Sequence, residues 1–206
     1  MRVAQIHDRL AGVLQASGRV EEGRAEAAIA DSLMAGLAGD STKRDTGTQE
    51  DQIHAAIALL EAGRAADAAG PLTRLAEQFP GRMDVRYALG LAFQQLNQFD
   101  RAVESFQVVI AAEPRRVGAR QHLGGALHSL GRREEAVAAY QDALALEPLS
   151  ADTHNDLGVA LAELRRFHEA ERHFAEALRL KPDDAQAKDN LARTRQILQR
   201  GGRGGS

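Results

Sequence analysis

Seven histidines, a Glu134-Glu135 pair and a scatter of Asn, Gln and Asp side chains are the groups with chemistry to offer in this chain. Two imidazoles on one helix chelate a metal when they stand about one turn apart, and no two histidines here are four residues apart. His122 and His128 are six apart, roughly 120° around a helix axis, and His168 and His173 are five apart, so no metal site is expected. Glu134 and Glu135 fall where a helix would begin, and acids stabilise a helix N-terminus, which explains them without paired catalytic carboxylates. The absence of cysteine removes disulfides, thiolate metal sites and cysteine nucleophiles together. No phosphate-cradling Gly loop and no serine elbow occur. Neither an enzyme activity nor a cofactor is therefore expected.

The elements that would position any binding group are clearest in residues 151–184. Leu157, Leu161 and Leu164, at steps of four and three, share one stripe of a helix expected from about Asp152 to Leu164. Ala170, Phe174, Ala177 and Leu178 do the same for a second helix from about Phe167 to Leu180. Pro182 stops it, because proline cannot continue a helix and biases Lys181 away from helical geometry. Prolines recur at 80, 114, 148 and 182, a constant step of 34 residues, and a fixed period means stacked units. In frame with Leu157-Gly158 stand Leu123-Gly124, Leu89-Gly90 and Ala55-Ala56. In frame with Ala170, Phe174 and Ala177 stand Ala136, Tyr140 and Ala143, then Ala102, Phe106 and Val109, then Ala68, Leu72 and Leu75. The small residues let two helix backbones approach, and Phe174 and Leu161 fill the space left. Neither helix pair buries its stripe alone, so stability comes from stacked neighbours.

This pattern resembles the tetratricopeptide repeat family, whose 34-residue helix-turn-helix signature carries Leu-Gly, Ala, an aromatic, Ala and a closing Pro. Four units, 49–82, 83–116, 117–150 and 151–184, keep register without insertion. The family's early Trp is absent from all four, replaced by Gln52, Arg86, Arg120 and His154. The fold class expected is all-α, a right-handed α-solenoid of these repeats with a C-terminal capping helix.

Along the chain, residues 4–37 resemble a degenerate N-terminal repeat, with Leu10-Ala11, Leu14, the Gly18-Arg19 turn, Gly23, Ala27 and Ala30 in the repeat's slots. Gly63-Arg64 repeats the turn pair 11 residues later than the period requires, which places a flexible insert at 38–48, AGDSTKRDTGT. In 49–82, Pro71 sits inside the second helix, and a kink or a delayed helix start is expected there. Residues 185–200 read as a capping helix, with Asp183 or Asp184 as N-cap and a basic last turn, and GGRGGS at 201–206 as a disordered tail.

The formal net charge of −3 argues neither for nor against a charged partner. Residues 151–184 hold eight acids against five bases, and the segment after them five bases against one acid. That basic end reads as a solvated cap face without the aromatic interleaving of an RNA-binding stretch, so no nucleic-acid partner is expected. No run nears the roughly 20 apolar residues that cross a bilayer, and the N-terminus lacks a signal peptide's apolar core. A cytoplasmic protein without membrane contact is expected, monomeric, with self-association open through the solenoid ends.

The resemblance implies that the first helix of each unit lines a concave groove that takes partner peptides. It nominates Tyr87, Leu91 and Gln94 in one unit, Gln121, His122, Gly125 and His128 in the next, Asn155, Asp156 and Val159 in the last, and Asn190 in the cap. Amides and imidazoles suit recognition of a peptide backbone. Gly125, a second mid-helix glycine that costs about 1 kcal/mol relative to Ala, reads first as a tolerated glycine in an otherwise well-supported helix, the alternative being a dip in the groove floor between Gln121 and His128. The family's carboxylate-clamp slots hold Asp156, Gln121 and Tyr87 rather than Lys, Arg and Asn, so recognition of an acidic C-terminus is not expected. The broken set His54, Ala88, His122, Asp156 and Asn190 stands where related repeats carry an asparagine ladder. The function implied is a non-enzymatic scaffold for an extended peptide or helix of a partner protein. The alternative is a substrate-presenting module of, or accessory to, a sugar- or sulfo-transferase whose catalytic domain lies outside this chain.

Overall fold

A computed structural model of the chain describes residues 48–203. The degenerate repeat expected over 4–37 lies outside these residues, as do all but the last residue of the insert and the last three residues of the tail. The regular elements among the described residues are all α-helices: α1 Gln49–Glu61, α2 Ala65–Gln78, α3 Met83–Gln95, α4 Phe99–Ala112, α5 Val117–Ser129, α6 Arg133–Leu146, α7 Ala151–Glu163, α8 Phe167–Leu180 and α9 Ala185–Arg203. The chain divides into two compact units, one ending at Leu96 and the other starting at Asn97. Within each unit consecutive helices pack in order, and the architecture is an all-α repeat solenoid. A sequence period cannot reveal such a division, because it reports that units recur and not how densely successive ones touch.

Helix ends follow local chemistry. The helices α2, α4, α6 and α8 each stop two residues before a proline, and their C-cap residues Phe79, Glu113, Glu147 and Lys181 have left helical geometry, with ψ between 70° and 83°. Proline crowds the residue before it out of the helical region, so these stops are steric. Thr48, assigned to the insert from sequence, is instead the N-cap of α1 in a capping box: its Oγ1 accepts from Asp51 N at 3.3 Å, and the Asp51 carboxylate accepts from Thr48 N at 2.8 Å. Asp184 caps α9 by accepting from Ala187 N at 3.0 Å. That helix runs on to Arg203, past the end expected at Arg200.

The turns between the helices of a pair share one feature. Gly63, Asn97, Gly131 and Arg165 all have positive φ, between 57° and 75°, and they recur at the repeat period. Glycine accepts this geometry freely, asparagine tolerates it, and arginine's Cβ crowds the following carbonyl. Arg165→Gly is therefore expected to stabilise the protein by about 0.5–1 kcal/mol, read as a higher urea midpoint; a lower midpoint would mean that the arginine side chain contributes more than its backbone strain costs.

Pro71 neither delays nor breaks α2, which begins at Ala65 and runs through it. Ala65, Ala68, Leu72, Leu75 and Ala76 are buried along one stripe, and that burial outweighs the one hydrogen bond proline removes. In this first unit, α1, α2 and α3 pack mutually around Ile53, Leu72 and Val85. Arg82, just before α3, binds both Glu50 at the start of α1 (2.6 Å) and Asp84 (2.8 Å).

The second unit, α4 to α9, is cored by Phe106, Val109, Leu157, Leu161 and Phe174, each under 2% exposed. An ideal Cβ on Gly124 would stand 2.6 Å from the Tyr140 ring, and one on Gly158 the same distance from the Phe174 ring. Each glycine is thus the floor on which the aromatic of the following helix lies. Two of the four slots where the family signature has Trp hold polar side chains that reach backbone carbonyls instead: Arg86 Nη2 donates to Ala76 O at 3.4 Å and His154 Nε2 lies 3.1 Å from Pro148 O.

Candidate functional site

In the first unit the nominated residues lie on α3. Tyr87, Leu91 and Gln94 are spaced by four and three and are all half-buried, while Val85, Ala88, Leu89, Ala92 and Phe93 form the buried stripe. The 3.6-residue repeat alone sorts these two sets onto different faces.

In the second unit the nominated residues lie on α5, α7 and α9, and α7 touches both of the others. Three of them hydrogen-bond between these helices. Gln121 Nε2 on α5 donates to Thr153 Oγ1 at 2.6 Å and reaches Ser150 Oγ at 3.3 Å. Ser150 is the N-cap of α7, accepting from Thr153 N, and Thr153 is 3% exposed. Asn190 Nδ2 on α9 donates to Asn155 Oδ1 on α7 at 3.0 Å, and Asn155 is itself 5% exposed. His128 Nε2 on α5 stands 3.2 Å from Glu163 Oε2 near the end of α7, and Arg133 Nε donates to the same carboxylate. Burial works against the Glu163 charge, but the Arg133 hydrogen bond and the nearby His128 hold its carboxyl below the usual range. Sequence reasoning missed Ser150, Thr153, Arg133 and Glu163; the Ser-x-x-Thr start of α7 was a legible N-cap signal, whereas the Glu163 contacts carry no local signature.

The remaining residues are differently placed. His122 is half-buried and stacks on Phe106, ring centroids 5.7 Å apart at 23°, and burial lowers its proton affinity. Gly125 is half-buried, and its carbonyl accepts from Ser129 Oγ at 2.9 Å. Val159 is half-buried on α7. Asp156 makes no ion pair among the described residues. Solvent reaches this residue, yet surrounding groups displace enough water to push its carboxyl above the ordinary range, and Asp152 one turn earlier pushes the same way, while the Asn155 side chain and His128 oppose the shift. Burial drives the neighbouring Tyr140 phenol well above its ordinary range, and the Asp156 charge adds to it. Asp156 is thus an anion short of a cation, set beside a row of amides that are already anchored.

No helix among the described residues is long and apolar enough to cross a membrane. Family models described as TPR repeat and tetratricopeptide repeat match residues 54–116, 124–164 and 151–184. A comparison with curated proteins finds no match. Among solved structures, MamA in a form described as MSR-1 C2 is 25% identical, with a TM-score of 0.64 over 90% of this chain and 100% of that one. The first TPR of Spaghetti (RPAP3), bound to the HSP90 peptide SRMEEVD, is 20% identical, with a TM-score of 0.56 over 57% of this chain and 93% of that one. The Arabidopsis OM64 TPR domain is 24% identical, with a TM-score of 0.54 over 55% of this chain and 94% of that one.

Proposed function

The chain belongs to the tetratricopeptide repeat family, and from that membership we propose that it is a non-enzymatic scaffold whose first-of-pair helices receive an extended peptide or helix of a partner protein. A domain of the same fold holds a peptide in the Spaghetti complex, which supports the class of function. The observation that carries the reading for this chain is Asp156. Its carboxylate makes no ion pair among the described residues and sits beside the Asn155–Asn190 amide pair. An unpaired, partly desolvated carboxylate gains from a guanidinium or ammonium group brought by a ligand, a charge-assisted contact worth about 1.5–3 kcal/mol. The partner segment is therefore one with an Arg or Lys opposite Asp156, its backbone lying along α5, α7 and α9. Within the first unit, Tyr87, Leu91 and Gln94 form a candidate face of α3 by themselves.

The test is selection from a displayed library of extended peptides, followed by affinity measurement on synthetic winners with the wild type and with Asp156→Lys. Enrichment of basic peptides, and a loss of roughly tenfold to a hundredfold in affinity on charge reversal, is the expected result. Because Asp156 is exposed, circular dichroism is expected to be unchanged. Enriched peptides that bind both proteins equally would remove Asp156 from the site, and no enrichment at all would remove the groove.

A further inference from the structure

His154 on α7 and His173 on α8 meet with their Nδ1 atoms 3.0 Å apart and their rings stacked at 5.2 Å and 28°. The partners assign the protons. Pro148 O, 3.1 Å from His154 Nε2, only accepts, so that nitrogen carries a hydrogen. A neutral His154 then has a bare Nδ1, and His173 Nδ1–H donates to it. One extra proton is accommodated on His173 Nε2 with the N–H···N contact intact. A second has to go on His154 Nδ1, which sets N–H against N–H and two positive charges against each other at 3.0 Å.

The surroundings do little to relieve that charge. On α8, Arg172 adds positive charge beside His173, while Glu169 and Glu176 offset it. Those carboxylates are already engaged, Glu169 by Arg166 and Glu176 by Arg179, each through two hydrogen bonds of 2.7–2.9 Å. On α7, Asp152 faces Lys181 at 3.5 Å. From α9, Arg195 is paired with Glu171. His154 also lies in the first turn of α7, where a cation opposes the helix dipole.

We propose that the His154–His173 contact is a proton-operated latch on the first turn of α7, closed at neutral pH and opened by acidification. Opening releases the Pro148 carbonyl and loosens the Ser150–Thr153 turn that holds Gln121. The device stands whether or not the peptide-binding reading does. Burial, then His154 and Arg172, hold His173 below the ordinary histidine value of 6.5. The unfolded chain therefore takes up protons first as pH falls below that value, and stability is present above it and is lost as the pH drops.

The test uses the full chain. Long-range 15N NMR titration of the wild-type histidines is expected to show His173 titrating below an ordinary histidine, and to show that displacement shrink in His154→Gln. Urea unfolding at pH 7.5 and 5.5 is expected to show the wild type losing more in folding constant than His154→Gln or His173→Gln. Amide protection in residues 152–155 is expected to fall with it in the wild type alone. His168→Gln, at an exposed position, serves as the control. An ordinary titration of His173 in the wild type would overturn the latch even if both variants fold poorly, and so would parallel pH profiles for wild type and variants.

Discussion

Phe174→Ala is expected to lower stability by about 3–5 kcal/mol, the range for emptying a fully buried aromatic site. The ring is 1% exposed and lies on Gly158 between α7 and α8. It is one of the largest side chains in the core of the second unit, where Phe106, Leu157 and Leu161 are also fully buried. Truncation leaves a cavity that backbones already in close approach have little room to collapse into. In a stacked array the contact between neighbours is most of the stability, so this loss uncouples α7 from α8 and leaves α9 with a weakened platform. Chemical denaturation followed by helicity measures it. A loss under about 1 kcal/mol would mean that the ring is not the packing centre its burial implies.

Gly158→Ala runs against helix propensity, and that makes it the sharper test. In an unconstrained helix the added methyl gains about 1 kcal/mol. Here it would stand 2.6 Å from the Phe174 ring, a rigid group with no flexible end to withdraw. Overpacking costs about 1–3 kcal/mol or more, so the net change is expected to be destabilising. Phe174→Leu in the same molecule relieves the clash, and the double mutant is expected to lose less than the sum of the two singles. Additive losses, or stabilisation by Gly158→Ala alone, would show that the two helices separate without cost. Gly124 and Tyr140 repeat the geometry one period earlier and provide an internal replicate.

The helix spans and the packing of aromatics on small residues are legible in the sequence alone. Proline ends a helix by steric exclusion at the close of each repeat, and 3.6-residue periodicity sorts Leu157 and Leu161 from Asp152 and Asp156 regardless of partners. Both are local effects, decided within one or two turns of chain. Pro71 shows the limit of that reading: a local rule against helix is overridden when a whole stripe of alanines and leucines is buried by its persistence.

The candidate site is legible in the sequence only as a set of positions. Which of its polar groups are already spent cannot be read from the chain, because Gln121 meets Thr153 and Asn190 meets Asn155 across 32 and 35 residues. Those contacts depend on how far one helix is rotated and shifted against the next. Hydrogen bonds tolerate errors of only tenths of an ångström, whereas hydrophobic periodicity is indifferent to such shifts. The same holds for the His154–His173 contact, 19 residues apart and carried by two helices, and for Asp156, which makes no ion pair among the described residues. Repeat number, helix boundaries and buried faces come from short-range sterics and hydropathy; the division into satisfied and unsatisfied polar groups comes from stacking geometry, and it is on that division that the proposed binding face and the proton latch both rest.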